Sequence, residues 1–204
     1  ASLHISSKND TSFSFSKFKA ITPPKDRFFA DPFVIKHSNK YFIFIEEFIT
    51  KYNKGRISMI EMDKHGNYQH PIPIIEQPYH VSFPFIFKHQ EGYFLIPESQ
   101  QNNSIEIYKC EEFPFKWKLL KNLMEDIDAV DSVVFYHKNL WWLFTNIVEN
   151  KGASCLDELF LFYSEDIFAK KWSPHINNPI VSDVRKARSA GNIFMHNGMI
   201  IRPS

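Results

Sequence analysis

Apolar residues along this chain gather in short blocks, each closed by a polar turn, and the blocks return at a nearly constant interval. Residues 30–48 (ADPFVIKHSNKYFIFIEEF) can be laid over residues 82–99 (SFPFIFKHQEGYFLIPES) without a gap. Pro32 falls on Pro84, Lys36 on Lys88, His37 on His89, Tyr41 on Tyr93 and Glu46 on Glu98, each at an offset of 52. A third copy, residues 131–146 (DSVVFYHKNLWWLFTN), sets Phe135 on Phe87, His137 on His89 and Trp141 on Tyr93, each at an offset of 48. A weaker fourth copy occupies residues 190–204 (AGNIFMHNGMIIRPS). Self-similarity at a fixed period is the sequence mark of a repeat architecture.

Each copy reads as a strand, a hairpin-type turn (HSNK, HQEG, HKN, HNG) and a second strand. The second strands, YFIFI, YFLI, WWLF and MII, are continuously apolar, which is how a strand reads when both its faces are covered. Further strand-like stretches follow at 55–62, 104–110 and 158–164, then return segments at 117–124 and 172–180. Residues 164–172 suggest a short helical turn within a loop. Four strands per repeat of about fifty residues predict an all-β fold, a β-propeller of twisted antiparallel blades packed face to face. A sandwich or a jelly roll does not account for that period. The chain reads as one domain with blade 1 at about 28–78, blade 2 at about 79–127, blade 3 at about 128–183 and the start of blade 4 at about 184–204. Closure needs at least about four blades. The expectation is therefore of three and a half blades of a five-bladed propeller, truncated at the C-terminus, whose whole would run to about 250 to 300 residues.

Composition adjusts this picture only at the margins. The 204 residues carry 24 Lys plus Arg against 23 Asp plus Glu, a formal net charge of +1. That balance gives no electrostatic case for a nucleic-acid partner or an acidic membrane surface. The 21 phenylalanines suit the wedges between blades. Two cysteines, Cys110 and Cys155, are too few for a disulfide framework or a cysteine-rich zinc site and read as reduced core thiols, which leans toward the cytoplasm. No apolar run reaches the roughly 18 residues that a membrane span needs. Nucleophile elbows, phosphate-binding loops and dinucleotide fingerprints are missing, Cys155 has no nearby His, and no cofactor is expected.

Several strings resemble a known family: 29–34 (FADPFV), 81–87 (VSFPFIF), 129–135 (AVDSVVF) with 140–145 (LWWLFT), and above all 175–194 (HINNPIVSDVRKARSAGNIF) followed by Arg202-Pro203-Ser204. The Asp-Pro opening with a matching Asp in a later copy resembles the five-bladed propeller glycoside hydrolases of the arabinanase, xylosidase and invertase types. A nearer likeness, over residues 28 to 204, is to the N-terminal domain family of glucosamine inositolphosphorylceramide transferase and its bacterial relatives. The resemblance implies the propeller fold, a sugar-related role and a fused or partner transferase module.

The innermost strand of each blade lines the central channel, so the first strands of the repeat are where a site should form. Asp31, Phe83 and Asp131 occupy one equivalent position in the three copies. Two acids there converge on one mouth of the channel. Glycoside hydrolysis needs two carboxyl groups flanking the bond. By resemblance, Asp31 would activate water and Asp131 would tune and orient the proton donor. The hydrolase families place that donor, a Glu, at the opening of blade 4, where this chain reads RKARSAGNIF (185–194) with no Glu. Glu98, Glu46 and Glu47 are the substitutes at hand. Arg185, Arg188 and Arg202 stand at the same opening, and an Arg fork binds carboxylate or phosphate with two teeth. Two readings compete: arginines holding an anionic sugar or sugar-phosphate, or Asp and Arg pairing to knit blades together. His80 and Ser82 precede the blade 2 strand and are candidates for the same pocket. Asp183 is a candidate ligand contact or a turn cap. His37, His89 and His137 recur in the turns and read as structural, without metal-ligand spacing. Trp117, Trp141, Trp142 and Trp172 read as packing between blades.

The expected function is that of a carbohydrate-active propeller, acting on or recognising a glycan in the channel through Asp31 and Asp131. The alternative is a catalytically silent glycan- or nucleotide-sugar-binding domain of a sugar-modifying enzyme. A protein-interaction platform is the generic third reading.

Overall fold

The computed structural model describes residues 3–5, 19–150, 152 and 154–204. A short antiparallel pair, β1 (Leu3–Ile5) and β2 (Lys19–Ile21), precedes the blades. Blade 1 is the sheet β3 (Arg27–His37), β4 (Lys40–Ile49), β5 (Lys54–Asp63) and β6 (Ile72–Ile75), in that order. Blade 2 repeats it with β7 (Ser82–His89), β8 (Gly92–Ser99), β9 (Ser104–Glu112) and β10 (Lys116–Glu125). Blade 3 holds β11 (Ala129–His137), β12 (Leu140–Ile147) and β13 (Glu158–Ser164), with β14 (Ser173–Pro174) and β15 (Val181–Ser182) both paired to β13. A final hairpin, β16 (Phe194–His196) and β17 (Met199–Ile201), opens blade 4. The all-β propeller read from the repeat is the fold observed.

Local chemistry accounts for the details. Asn53 and Asn103 end the 3-10 turns Thr50–Tyr52 and Gln100–Asn102 in the left-handed region, which Asn tolerates better than most residues. The outer edge of blade 3 is broken because residues 172–180 contain two prolines, which cannot donate to a ladder. The Asn178 side chain stands in for the missing strand, accepting from the Leu161 N–H and donating to its carbonyl, each at 2.8 Å. Residues 164–172 hold an Asp166-initiated turn rather than a helical one; the Asp166 carboxylate takes the Phe168 N–H at 3.0 Å and so competes with helix formation. No helix among the described residues is long and apolar enough to cross a membrane.

The core lies between blades. Phe33 of β3 meets Phe83 and Phe85 of β7 edge-on at 5.1 and 5.8 Å, within one buried cluster that runs through blades 1 to 3. A second cluster on the other face of blade 1 (Phe29, Ile43, Ile45, Ile60) is covered by Ile21 of β2. The turn histidines repeat a packing role. His37 lies 5.1 Å from Phe113 and hydrogen bonds to Tyr93 at 3.1 Å, and His89 sits edge-on to Trp141 at 5.0 Å. Trp117 packs on Phe44 of the neighbouring blade at 5.8 Å. Both cysteines are free thiols.

Candidate functional site

Each inner strand carries a bulge at the same register. Pairing slips between Ala30 and Phe33, between Ser82 and Phe85, and between Val130 and Val133. The residue within each bulge adopts a left-handed backbone: Asp31 at φ 49°, Phe83 at φ 43° and Asp131 at φ 52°. This conformation costs a non-glycine residue about 1–2 kcal/mol. Phe83 has no ionisable group and is bent the same way, so the bend belongs to the blade. Its effect is to re-aim one side chain per blade, as bulges do.

The three side chains meet at a cavity of ≈ 350 Å³, lined by Asp31, Pro32, Phe33, Phe83, Asp131, Arg188, Ser189 and Ala190. Sequence reasoning put Asp31, Asp131 and Arg188 together, and the structure brings all three to this wall. Asp131 is only 2% exposed and forms an ion pair through its Oδ2 with Arg188 Nε. The pairing reading of Arg188 is therefore realised, with the cavity open beside it. Burial chiefly, and next the nearby Asp131 charge, push the Asp31 carboxyl up; the Arg188 charge and the Phe83 N–H pull the other way.

Behind these residues lie the second-strand acids. Glu46 is paired with Ala30 and Glu98 with Ser82, each opposite the residue that precedes a bulge. Burial, then the Asp31 and Glu98 charges, push Glu46 up to about 8. Burial, then the Asp131 charge, push Glu98 up to about 7, against hydrogen bonds from the Ser82 hydroxyl and the Asp131 N–H. Ser82 stands opposite Glu98 across the β7–β8 pair and does not line the cavity. Glu47 points the other way, into a network with Ser58 at 2.7 Å, Arg27 at 2.7 Å and Arg56 at 2.9 Å. Burial raises Glu47, but these donors outweigh it and hold it below its ordinary value.

The remaining candidates stand off the cavity wall. His80 backs Glu46, with Nε2 3.7 Å from Glu46 Oε1 and Nδ1 accepting the Gly55 N–H at 2.8 Å. Arg202 donates to the carbonyls of Lys186, Ala187 and Arg188 and so pins the segment that presents Arg188. Asp183 is a turn cap: it takes the Arg185 N–H at 3.0 Å and pairs with the Arg185 guanidinium at 2.9 Å, on the surface. Backbone hydrogen bonding of this Asx type is the ordinary use of Asp in a turn.

Ser189 and Ala190 were not legible as wall residues. If His196 answers to His137, Ala190 takes the place of Asp131 in the fourth copy, so the position that carries a carboxylate in blades 1 and 3 carries a methyl group here. Ser189 is 4% exposed and lines the cavity, and its buried hydroxyl has no partner among the described residues. An unpaired buried hydroxyl costs free energy unless something meets it. No three His, Cys, Asp or Glu side chains among the described residues are arranged to hold a metal ion. The wall offers one uncompensated carboxyl, one guanidinium and one free hydroxyl beside the apolar faces of Phe33 and Phe83. Such a mix suits a polyhydroxylated ring.

Comparison with known proteins agrees with this setting. The family model for glucosamine inositolphosphorylceramide transferase 1, N-terminal, matches residues 14–204. Glucosamine inositolphosphorylceramide transferase 1 of Oryza sativa subsp. japonica is 29% identical over 179 residues, 86% of this chain. The aligned part is 24% of that relative, so the chain spans about a quarter of its length. Among solved structures, the catalytic domain of a Coprinopsis cinerea GH62 alpha-L-arabinofuranosidase superposes with a TM-score of 0.62 at 15% identity, covering 86% of this chain and 58% of that one. A family 117 glycoside hydrolase of Zobellia galactanivorans gives 0.61 at 15% identity, over 78% and 58%. At that identity the likeness speaks to the fold alone.

Proposed function

We propose a function from one premise: the chain belongs to the family of the N-terminal domain of glucosamine inositolphosphorylceramide transferase 1. Its role is carbohydrate-related. The channel cavity recognises a glycan, as the sugar-binding part of a larger sugar-transferring protein. The observation that carries this reading is the cavity wall itself. Asp31, short of a cation of its own, accepts sugar hydroxyls; Arg188 meets ring or hydroxyl oxygens; the Ser189 hydroxyl finds its partner in the ligand; and Phe33 and Phe83 supply an apolar face.

The charge balance favours a neutral glycan over a sugar-phosphate. Four carboxyl groups (Asp31, Glu46, Glu98, Asp131) interact around one guanidinium, Arg188, which is already engaged by Asp131. Arg202 spends its donors on backbone carbonyls and Arg185 pairs with Asp183, so neither is offered to an anion.

A second reading, turnover, has one observation in its favour. Glu98 lies close enough to feel the Asp131 charge and sits at about 7, a value suited to donating a proton near neutrality. Asp31 would then activate water.

The test is calorimetry of the chain with neutral mono- and oligosaccharides, uronic acids and nucleotide sugars, followed by product analysis after long incubation. Binding of a neutral sugar that Asp31→Asn weakens, with no product, supports recognition. Product that Asp31→Asn abolishes while binding persists supports turnover. No binding by any of the panel overturns both.

A further inference from the structure

We propose that Arg202 is a positioning residue of the cavity: by capping the single turn that ends at Arg188, it fixes how Arg188 and Ser189 meet a ligand that Arg202 does not itself touch. The proposal rests on the reading of that cavity as a glycan site.

The cavity wall is built in two ways. Asp31, Phe83 and Asp131 are aimed by bulges in inner strands, whose backbone is tied into a sheet. Arg188, Ser189 and Ala190 lie outside any strand, between β15 and β16. The chain there makes one helical turn, in which the Lys186 and Ala187 N–H groups both donate to the Asp183 carbonyl at 2.9 Å. A lone turn has little stability of its own, because fixing its backbone costs more than its few hydrogen bonds return. Its direction is therefore set by whatever holds its ends.

The first end is capped from within. Asp183 Oδ1 accepts the Arg185 N–H at 3.0 Å, and the Asp183 N–H donates to the Asp157 carbonyl at 2.9 Å. Ala187, fully buried, anchors the middle. The last carbonyls of a helical turn have no partner inside it, and here Arg202 meets them. Its Nη1 donates to the Ala187 and Arg188 carbonyls, each at 3.3 Å, and its Nη2 donates to that of Lys186. Spanning three successive carbonyls is work for a planar fork; a lysine ammonium, a single point, reproduces it only in part. The next residue extends the grip, since the Pro203 carbonyl accepts the Ala190 N–H at 3.1 Å. Ser189 is thus held between two residues whose backbone is fixed.

The clamp decides the aim of Arg188. The Arg188 side chain is half exposed, so packing alone does not fix it, whereas its partner Asp131 is buried and cannot follow it. The backbone that starts Arg188 toward Asp131 is the capped end of the turn. Without Arg202 that end frays, Arg188 Nε loses its aim at the Asp131 carboxylate, and Ser189 leaves the wall.

The test reads Arg188 directly by ¹H–¹⁵N NMR of the folded chain. The Arg188 Nε–H, bonded to a buried carboxylate, should resonate apart from solvent-exposed arginine side chains, and Arg188→Lys identifies it by deletion. In Arg202→Met the signal should move to the position of a free arginine. The indole N–H groups of Trp117 and Trp142, which donate to the Pro114 and His137 carbonyls at 2.7 and 3.1 Å, report on the folding of blades 2 and 3 and should stay in place. Arg202→Lys, which keeps the charge and loses the fork, should leave the Arg188 signal between the two positions. An Arg188 signal at its native position in Arg202→Met overturns the proposal; where that variant does not fold, a native position in Arg202→Lys does so. Calorimetry with the neutral-sugar panel supplies the second reading: any sugar bound by the native chain should lose at least tenfold in affinity in Arg202→Met, and equal affinity overturns the proposal. No binding by the native chain counts against the glycan reading instead, and the NMR signal still decides whether Arg202 positions Arg188.

Discussion

Arg188 Nε donates to the Asp131 carboxylate, so the acid turned inward by the blade 3 bulge is held by the segment that opens blade 4. Both residues also line the cavity. Holding blades together and meeting a ligand thus fall on one wall, and mutations along it must be read on two scales, stability and affinity.

Asp31→Asn should separate the two. Asn removes the charge, keeps nearly the same shape and tolerates the left-handed backbone at least as well. The expected outcome is unchanged thermal stability near neutrality and at least a tenfold loss of affinity for the glycan, about 1.4 kcal/mol, measured by calorimetry beside thermal unfolding.

Arg188→Met should destabilise, because it leaves the buried Asp131 carboxylate without its cation. Breaking a fully buried pair costs about 3–5 kcal/mol; Arg188 is itself half exposed, so about 2–3 kcal/mol is expected. Adding Asp131→Asn should recover most of the loss. A double-mutant cycle by urea unfolding that gives no coupling between the two positions would count against the pair.

Stability should fall as pH rises from about 5 to 9. Glu46 at about 8 and Glu98 at about 7 both lie above their ordinary 4.5, so the folded chain holds protons that the unfolded chain releases. Their favourable contribution is complete below the unfolded value and disappears through the folded ones. Glu47, held low, works in the opposite sense and loses its contribution only in acid. Thermal melts across this range should show the decline, and Glu46→Gln should flatten it.

Gly55→Ala should loosen blade 1 from blade 2. The added Cβ would lie 2.7 Å from the Val81 carbonyl oxygen, a backbone atom that cannot rotate away, besides crowding His80 and Glu46. Overpacking of this kind costs about 1–3 kcal/mol. Loss of stability by chemical unfolding, with the Glu46 titration displaced in NMR, is the expected pair of readings.

Much of this protein was legible in its sequence because a repeat writes the same physical demand several times. Matching Pro32 to Pro84 and His37 to His89 established the period, and continuous apolar second strands established that both faces of each blade are covered. The period also placed Asp31 and Asp131 at one channel position, since equivalent residues of a propeller face one axis. It could not convey what each acid meets there. That Arg188 closes on Asp131 and not on Asp31, that His80 stands behind Glu46 rather than in the cavity, and that Arg202 clamps backbone while Asp183 caps a turn all depend on contacts between blades or within irregular loops. The bulge that turns Asp31 inward left no mark in the hydrophobic pattern, because one inserted residue between two runs of correct alternation reads as continuous strand. Period and polarity are properties of neighbours along the chain and were fixed there. Charge pairing is a property of neighbours in space, decided when burial removed water from four carboxyl groups and left one guanidinium to answer them.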